Sequence, residues 1–580
     1  MVELKNLELS RMFEQIARIL KIKGENPFKI RAYEKITSVL ENLPIDIETI
    51  YHQRGLNNIP GVGEGIAKKI EEFLTTGKLQ YYEKLKETIP DGVVELIDIL
   101  EVGPKTAKLL YEQLGVDNIE KLEKAVREHQ IKDLPGMGEK SETNILRGIE
   151  LYKRRKERVL LGTALPLAEE IVESLSRLDE TNEISFAGSL RRKKETIGDI
   201  DILVTSQKPE KIMKTFTSLH QVREILAEGP TKSSVITKKD IHVDVRVVEP
   251  ISFGAALQYF TGSKAHNIKL RELAVKRGLK INEYGVFNAK TGQRITGEKE
   301  EEVYRILELP FIPPELREGR GEIKAAQENK LPELIKYSQI KGDLHLHTKW
   351  SDGAHTIKQM AEAAKKRGYK YIAITDHSQS LKFAGGLIEE RLKEQIELIK
   401  KLNQELKDFT ILSGIEVDIK SDGSLDFSDE ILSKLDVVIA AIHSGFKQES
   451  KIITERLVGA MQNRFVSIIA HPTGRLIGYR EAYQVDINKI MDVAADTGTI
   501  LEINAYPERL DLNDVYCRMA KDRGVQLAIE TDAHSIDGLE FMNLGVDVAR
   551  RGWLEEKDVI NTLPLDKLLK RLKNRRSIIR

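Results

Sequence analysis

The sequence has a single cysteine, Cys517, so it can close no disulfide within the chain and can build no thiolate-rich zinc site. Any metal it binds has to be held by His, Asp and Glu. It also lacks a charge surplus, because 91 Lys and Arg balance 91 Asp and Glu. The balance is kept on both sides of residue 300, with 49 basic against 46 acidic residues before it and 42 against 45 after it. No long-range field therefore draws a polyanion to this chain. Contact with nucleic acid would have to come from local geometry, such as amides at helix starts and small basic clusters. Long hydrophobic runs are missing too: none approaches the roughly 18 residues of a membrane span. The opening MVELKNLELSRMFEQIARIL reads as a charged amphipathic helix without a signal-peptide cleavage site. These absences predict a cytoplasmic chain with no membrane contact. What is present, 580 residues of which 41% are hydrophobic, is enough for three or four ordinary domains.

One pattern recurs three times in the first 150 residues: IPGVGEGIAKKI from Ile59, LEVGPKTAKLL from Leu100 and LPGMGEKSETNIL from Leu134. Each is a hydrophobic residue, a tight glycine turn, then a helix opening with polar and basic residues. Such a turn directs unpaired amides and a positive helix end at an anion without reading a base, although a single copy can be an ordinary helix-helix turn. The candidate phosphate-gripping glycines are Gly61, Gly63, Gly103, Gly136 and Gly138. In the middle copy Glu101 stands where the first glycine belongs. The pattern resembles the helix-hairpin-helix motif, which grips DNA phosphates nonspecifically.

From about Glu183 the period shortens to β-rich runs, ISFAG, DIDILV and IHVDVRVV, with a helical stretch around 211–219, which describes an α+β unit with a small sheet. In DIDILV, alternation puts Asp199 and Asp201 on one face while Ile200 and Ile202 turn inward. Two carboxylates about 4 to 6 Å apart repel by a few kcal/mol in a partly buried site, a cost that a divalent cation between them removes. An Asp-X-Asp pair on a strand edge can equally be a solvated face. Asp244, on another expected strand, would complete a hard oxygen site for magnesium or manganese. Two ions so held activate an attacking hydroxyl and neutralise a leaving pyrophosphate. Gly188-Ser189, Arg191, Arg192 and Gly198 offer amides, a hydroxyl and guanidinium forks suited to a triphosphate.

GSLRR, GDIDIL, VDVR and YFTGSKAHNIKLR from Tyr259 to Arg271 closely resemble the family X nucleotidyltransferases of the DNA polymerase beta type, over residues 1 to about 313. The resemblance implies that Asp199, Asp201 and Asp244 are catalytic metal ligands and that Ser189, Arg192 and Gly198 bind the incoming triphosphate. It implies that Tyr259, Phe260, Gly262 and Asn267 contact the nucleotide's sugar and base, with Arg271 near the templating pair. FKIRAYEKI resembles the family's pocket for a downstream 5′-phosphate, with Lys29 and Tyr33 in it. Lys69 falls where family members with lyase activity hold a Schiff-base amine. The alternative, a phosphate contact or solvated charge, is favoured here because such an amine also needs a desolvated pocket and because Gly65 replaces a lysine of that pocket. The run KRRKER, 153–158, reads as a solvated helix face.

The second half carries seven of the twelve histidines between His345 and His534, and most of them end apolar runs. GDLHLHT supplies His345 and His347, SDG supplies Asp352, YIAITDH ends at His377, and ILSGIEVD carries Glu416. VVIAAIHS contains His443, SIIAHP has His471, and LAIETDAH brings Asp532 and His534. Strand-then-ligand punctuation with helices between suits a βα barrel whose strand ends converge at one mouth. His355 reads as a surface residue.

This half resembles the polymerase-and-histidinol-phosphatase, or PHP, domain that bacterial family X polymerases carry at their carboxyl end. The resemblance implies a distorted seven-stranded barrel with a trinuclear cluster of zinc or manganese on those nine positions. It further implies manganese-stimulated 3′ to 5′ exonuclease activity and cleavage at abasic sites. The expected fold is multidomain α+β and α/β: a helix-hairpin-helix region (1–90 and 91–155), a palm with a small mixed sheet (156–250), and a nucleotide-selection subdomain (251–313). A proline- and charge-rich linker (314–336) and a (βα)7 barrel (337–580) follow. The expected function is gap-filling DNA synthesis in repair, coupled to a metal-dependent phosphoesterase, with gapped or primer-template DNA and deoxynucleoside triphosphates as partners of a monomer. A binding module that only places a PHP nuclease, and a barrel whose metals are purely structural, are the other classes.

Overall fold

The computed structural model describes every residue except 1–2, 42–46, 53–54, 60–61, 100 and 579–580. The chain forms two compact units, one of Met1–Lys156 with Gly478–Arg480 and one of Glu157–Ile477 with Glu481–Arg580. No helix among the described residues is long and apolar enough to cross a membrane.

The first unit is helical. Its opening helix, Glu3–Lys23, buries Leu9, Phe13, Ile16 and Leu20, a spacing of four, three and four that lines one face. That face meets apolar residues of the later helices, among them Ile36, Ile70, Leu96 and Leu110, so one core runs from Leu9 to Tyr152. The two helical segments divided near residue 90 thus share a single interior, and neither buries its stripe alone.

The second unit begins with a five-stranded mixed sheet. Glu183–Phe186 forms one edge, followed by Asp199–Thr205, His242–Val248, Lys232–Thr237 and Val222–Glu228. Only Asp199–Thr205 and His242–Val248 run parallel. Helices Leu161–Ser176 and Pro209–Thr217 cover the face of Ile200, Ile202 and Val204 through Leu167, Ile171, Ile212 and Phe216. The opposite face meets Phe253, Ala256 and Leu257 of the helix Phe253–Thr261 through Leu203. A three-stranded antiparallel sheet, Leu279–Asn282, Gly285–Asn288 and Arg294–Thr296, follows the helix Lys264–Lys276.

Seven parallel strands then succeed one another in chain order: Gly342–Asp343, Tyr371–Ile374, Thr410–Asp418, Val437–Ala441, Ile468–Ile469, Ile500–Asn504 and Leu527–Glu530. A bridge between Leu346 and Ala533 nearly closes them into a barrel. The strands are apolar nearly throughout, as expected where both faces are covered. Tyr371, Ala373, Leu412, Ile439 and Ile500 meet Leu568 and Leu572 of the closing helix Leu565–Ile578, while Ile372, Ile374, Ile415 and Val438 join the core under the surrounding helices.

The stretch 314–336, expected as a loose linker, is packed. It holds the helix Glu322–Gln327 and the fully buried Arg317, whose guanidinium pairs with Glu300. Ile323 and Leu334 join the core of the preceding subdomain, and so does Trp553 from the barrel. Of the charges read as signs of a linker, Glu315, Arg317 and Glu322 are buried in pairs with Arg550, Glu300 and His266.

Candidate active sites on the palm sheet and at the barrel mouth

Alternation along Asp199–Thr205 leaves Asp199 and Asp201 on the face opposite the buried Ile200 and Ile202. Parallel register then sets Asp244 directly beside Asp201. Burial, together with the charges of Asp199 and Asp244, raises the Asp201 carboxyl to about 6. Asp244 goes the other way. Burial opposes its ionisation, but Ser234 donates to Oδ1, Lys232 Nζ lies 3.0 Å from Oδ2 and His242 Nε2 lies 3.2 Å from Oδ1, which holds the carboxyl below the usual range. A cation placed among these acids relieves the repulsion at Asp201 and competes with Lys232 at Asp244. All-oxygen donors of this kind suit a hard divalent ion.

The glycine-serine turn is one helical turn, Gly188–Arg191, and Ser189 lies on it. Gly188 has φ +62°, and a Cβ there would come within 2.6 Å of Asp201 Oδ2, so only glycine lets the turn approach the acids this closely. Arg191 forks onto Glu300, at 2.9 and 2.6 Å. Arg192 is buried, with Nε 3.0 Å from Glu318 Oε1 and Nη1 donating to the Thr261 carbonyl. Gly198 sits under Arg158, whose Nε donates to Thr196 Oγ1 at 3.0 Å. Arg158, expected in a solvated run, is therefore turned onto the palm, because the backbone of the short strand Thr196–Ile197 offers it acceptors.

Tyr259 and Phe260 meet edge to face, with centroids 5.2 Å apart, at the end of Phe253–Thr261. Gly262, at φ +67°, turns the chain there. Asn267 Nδ2 donates to the Tyr259 carbonyl at 2.7 Å, and Arg271 Nε donates to the Asn267 carbonyl at 3.3 Å. Arg246 lies over the Phe260 ring at 4.8 Å and 3.6 Å from Asp244. Sequence reasoning passed over Arg246, although it stands two residues after Asp244 and so shares its face.

In the helical unit the three glycine turns share one hydrogen bond. The amides of Val62, Val102 and Met137 donate to the carbonyls of Ile59, Ile99 and Leu134 at 2.9 to 3.0 Å. Gly63 and Gly103 cap the helices Glu64–Thr76 and Pro104–Leu114, and Gly138 precedes Glu139–Glu157. Gly136 has φ +76° and Glu101 φ +71°, so the middle copy keeps the turn with a side chain in the left-handed region. Gly61 lies outside the described residues. Lys29 and Lys69 both lie over the Tyr81 ring, at 5.5 and 5.0 Å, and Tyr33 stacks on it. Burial and the Lys29 charge lower the Lys69 amine below the ordinary lysine value. Tyr81, which joins these groups, gave no signal in the sequence.

At the barrel mouth the structure brings all nine expected positions together. Glu416 and Asp532 form the centre. Glu416 Oε1 lies 3.2 Å from His443 Nε2 and 3.1 Å from His471 Nε2, and its Oε2 lies 2.7 Å from His377 Nδ1. Asp532 Oδ1 lies 3.1 Å from His347 Nε2 and 3.6 Å from His345 Nε2. Asp352 stands 3.5 Å from His377 Nε2 and 3.4 Å from His534 Nε2. Four overlapping groups have the spacing of metal ligands: His347, Asp352, His377 and His534; His345, His347 and Asp532; His377, Glu416 and His443; and His345, Glu502 and Glu530.

Burial lowers protonation of the imidazoles, and the carboxylates oppose it unequally. His347, facing His534 and His377, is pushed down to about 3, while Glu416 and Asp352 lift His377 to about 10. Buried atoms of His345, His347, His377 and Glu416 make no hydrogen bond of good geometry among the described residues. Such atoms are costly unless something binds them, and nitrogen and carboxylate donors at this spacing fit zinc or manganese.

Four acids beneath the cluster went unseen in the sequence. Glu502 Oε1 receives His345 Nδ1 at 2.7 Å, and Oε2 accepts the His471 amide. Asp418 Oδ1 lies 3.3 Å from His443 Nδ1. Asp376 accepts from Thr348, Ser351 and Gln395 under the first strand end. Glu530 is fully buried and, with Glu502 beside it, is held toward the neutral acid by burial. Their signal was an acid within or at the end of an apolar strand run, as Glu502 in ILEIN and Glu530 in LAIE. His355, expected at the surface, is half-buried, and its Nδ1 accepts from the Ile536 amide.

Comparison with known proteins follows the same divisions. Residues 4–79 match the model of a helix-hairpin-helix domain and 93–150 that of a SAM-like helix-hairpin-helix tandem. Residues 164–244 match the DNA polymerase beta palm, 256–318 the DNA polymerase beta thumb and 343–506 the PHP domain. A polymerase beta palm and thumb joined to a PHP barrel define the class, the family X DNA polymerases with a PHP domain. Over 560 residues the chain is 43% identical to the DNA polymerase/3′-5′ exonuclease PolX of Bacillus subtilis (strain 168), covering 96% of this chain and 97% of that protein, and it belongs to that family. The chain is also 31% identical over 231 residues to a probable phosphatase of Thermoanaerobacter sp. (strain X514), covering 38% of this chain and 89% of that one. A probable phosphatase of Caldanaerobacter subterraneus is 28% identical over 248 residues, 41% of this chain and 92% of its own.

Proposed function

We propose that this protein fills short gaps in DNA by template-directed nucleotidyl transfer, and that its barrel hydrolyses phosphodiesters as a 3′ to 5′ exonuclease, an abasic-site endonuclease or both. The observation that carries the first half is the pairing of Asp201 with Asp244 across parallel strands, with the Gly188 turn against Asp201. Asp199, Asp201 and Asp244 are the residues to hold magnesium or manganese, which supply Lewis acidity to the entering hydroxyl and the leaving pyrophosphate. Around them the chain binds and orients. Ser189, Arg192 and the amide at Gly198 take the triphosphate, and Tyr259, Phe260, Gly262 and Asn267 wall the sugar and base, with Arg271 toward the template. Glycine turns at Gly63, Gly103, Gly136 and Gly138 hold backbone phosphates by their amides, which needs no excess positive charge. Lys29, Tyr33 and Lys69 form a pocket for a 5′-phosphate, and the lowered Lys69 amine suits a nucleophile as well as a phosphate contact.

At the barrel the nine residues would hold zinc or manganese, which would supply Lewis acidity to a water and to the phosphodiester. Glu502 and Asp418 hold His345 and His443 in orientation. Both ligand sets lie within one chain, which suits a monomer. A gapped-duplex assay with magnesium or manganese tests both halves at once, by following extension and degradation of the same labelled primer. A preparation that degrades but never extends would reduce palm and hairpins to a placing module. One that extends but never degrades would leave the barrel metals a structural role.

A further inference from the structure

Three arginines and two carboxylates interlock behind the triphosphate turn, and they come from three parts of the chain. Arg192 of the palm pairs with Glu318, in the segment that follows the thumb helices, at 3.0 Å. The same Glu318 oxygen accepts from Arg551 Nη1, also at 3.0 Å. Arg551 ends the barrel helix Met542–Arg551, and its Nη1 donates as well to the backbone carbonyl of Arg192 at 2.6 Å. Its Nη2 donates to Asp514 at 2.7 Å, and Asp514 takes Arg320 at 2.9 Å. Arg192 is 9% exposed and Arg551 5%, so the exchange partners are out of bulk water.

Glu318 holds Nε of the Arg192 guanidinium and so competes with a triphosphate for its charge. A carboxylate stripped of its partner in a buried site costs more than the original contact contributed. Arg551 removes that penalty, because it remains on Glu318 after Arg192 leaves. Its second bond, to the Arg192 carbonyl, keeps the backbone of the turn in place while the side chain moves.

We propose that Arg551, a residue of the PHP barrel, is a positioning residue for DNA synthesis. It makes Glu318 an exchangeable partner of Arg192, so that the barrel sets how readily the palm accepts a triphosphate. This role rests on Arg192 being a triphosphate ligand, as read above.

The test is steady-state gap filling by the full-length protein, with dNTP KM and kcat measured for Arg551→Met, Arg551→Lys, Glu318→Gln, the Arg551→Met/Glu318→Gln pair and Arg192→Ala. Arg551→Met leaves Glu318 bound to Arg192 alone, and KM is expected to rise about tenfold with kcat little changed. Arg551→Lys keeps one charge without the fork and is expected to raise KM about threefold. Glu318→Gln frees Arg192 and lowers KM, and the double variant returns KM to the wild-type value or below. Barrel exonuclease activity, measured alongside, stays at the wild-type level and reports an intact fold. A structural role alone would move Arg551→Met and Glu318→Gln in the same direction, and that result overturns the proposal. So does an unchanged KM in both while Arg192→Ala raises it. An unchanged KM in Arg192→Ala removes the triphosphate reading itself and this role with it. Should Arg551→Met fail to fold, Glu318→Gln and Arg551→Lys still decide the matter.

Discussion

The palm site and the barrel site both gather acids where strands end, but they are assembled from different distances. The palm needs two neighbouring strands: alternation supplies Asp199 and Asp201, and one parallel register adds Asp244. The barrel needs contributions along nearly its whole length, from His345 to His534, and a second layer of buried acids to orient them. Their chemistry differs accordingly. Asp199 is exposed and the palm donors are all oxygen, whereas six of the nine barrel positions are buried and six of the nine are imidazoles. An open carboxylate site suits a hard, reluctantly dehydrated ion, whereas a sunken set of imidazoles and carboxylates suits zinc or manganese.

If the two sites are independent in their chemistry, the sharpest break is at the palm acids. Replacing Asp199 and Asp201 together by Ala is expected to lower primer extension by about 10³-fold or more, some 4 kcal/mol of transition-state stabilisation, with exonuclease activity unchanged. Extension that survives the change would move synthesis elsewhere. The mirror experiment is Glu416→Gln, which removes the central barrel carboxylate. Degradation should drop by about 10²-fold or more while gap filling continues. A weaker, graded change is Glu502→Leu, which leaves every expected ligand in place but removes the acceptor of His345 Nδ1. Manganese titration of the exonuclease should show about 10- to 100-fold poorer affinity, and an unshifted titration curve would deny Glu502 an orienting role.

Acid separates the sites further. With its carboxyl raised to about 6, Asp201 carries a proton at lower pH that an entering ion must displace. Magnesium affinity for extension should therefore fall about tenfold per pH unit below 6 and level off above it. A flat profile from pH 5 to 7 would mean that Asp201 is not a ligand. The smallest effect is reserved for His355→Ala beside the barrel mouth. Loss of its one bond to the Ile536 amide should cost about 1 kcal/mol of stability and leave both activities intact, as a melting curve and the two assays will show.

How much of this was legible differs between the two sites for a physical reason. Ligands that end apolar runs, such as His377 in YIAITDH or Asp532 in LAIETDAH, announce themselves, because a strand in a covered parallel sheet has no other cause to finish on an imidazole or a carboxylate. The acids that support them do not: Glu502 sits inside such a run and looks like an interruption, and Glu530 closes one two residues before Asp532, until their partners are known. The stretch 314–336 shows the opposite error. Prolines and charges there read as a tether, yet Arg317 and Glu322 are fully buried with partners from the subdomain before them.

The sequence by itself determined what depends on near neighbours: the hairpin turns, the shared face of Asp199 and Asp201, the strand-end ligands, and the glycine at 188 that a close approach demands. Only the tertiary structure decided which acid lies beside Asp201, which carboxylates stand under the barrel histidines, and that Glu318 and Arg551, 126 and 359 residues from Arg192, meet it behind the turn. Periodicity of two or 3.6 residues is written into the local chain, whereas the partner of a buried charge is chosen by packing among segments hundreds of residues apart.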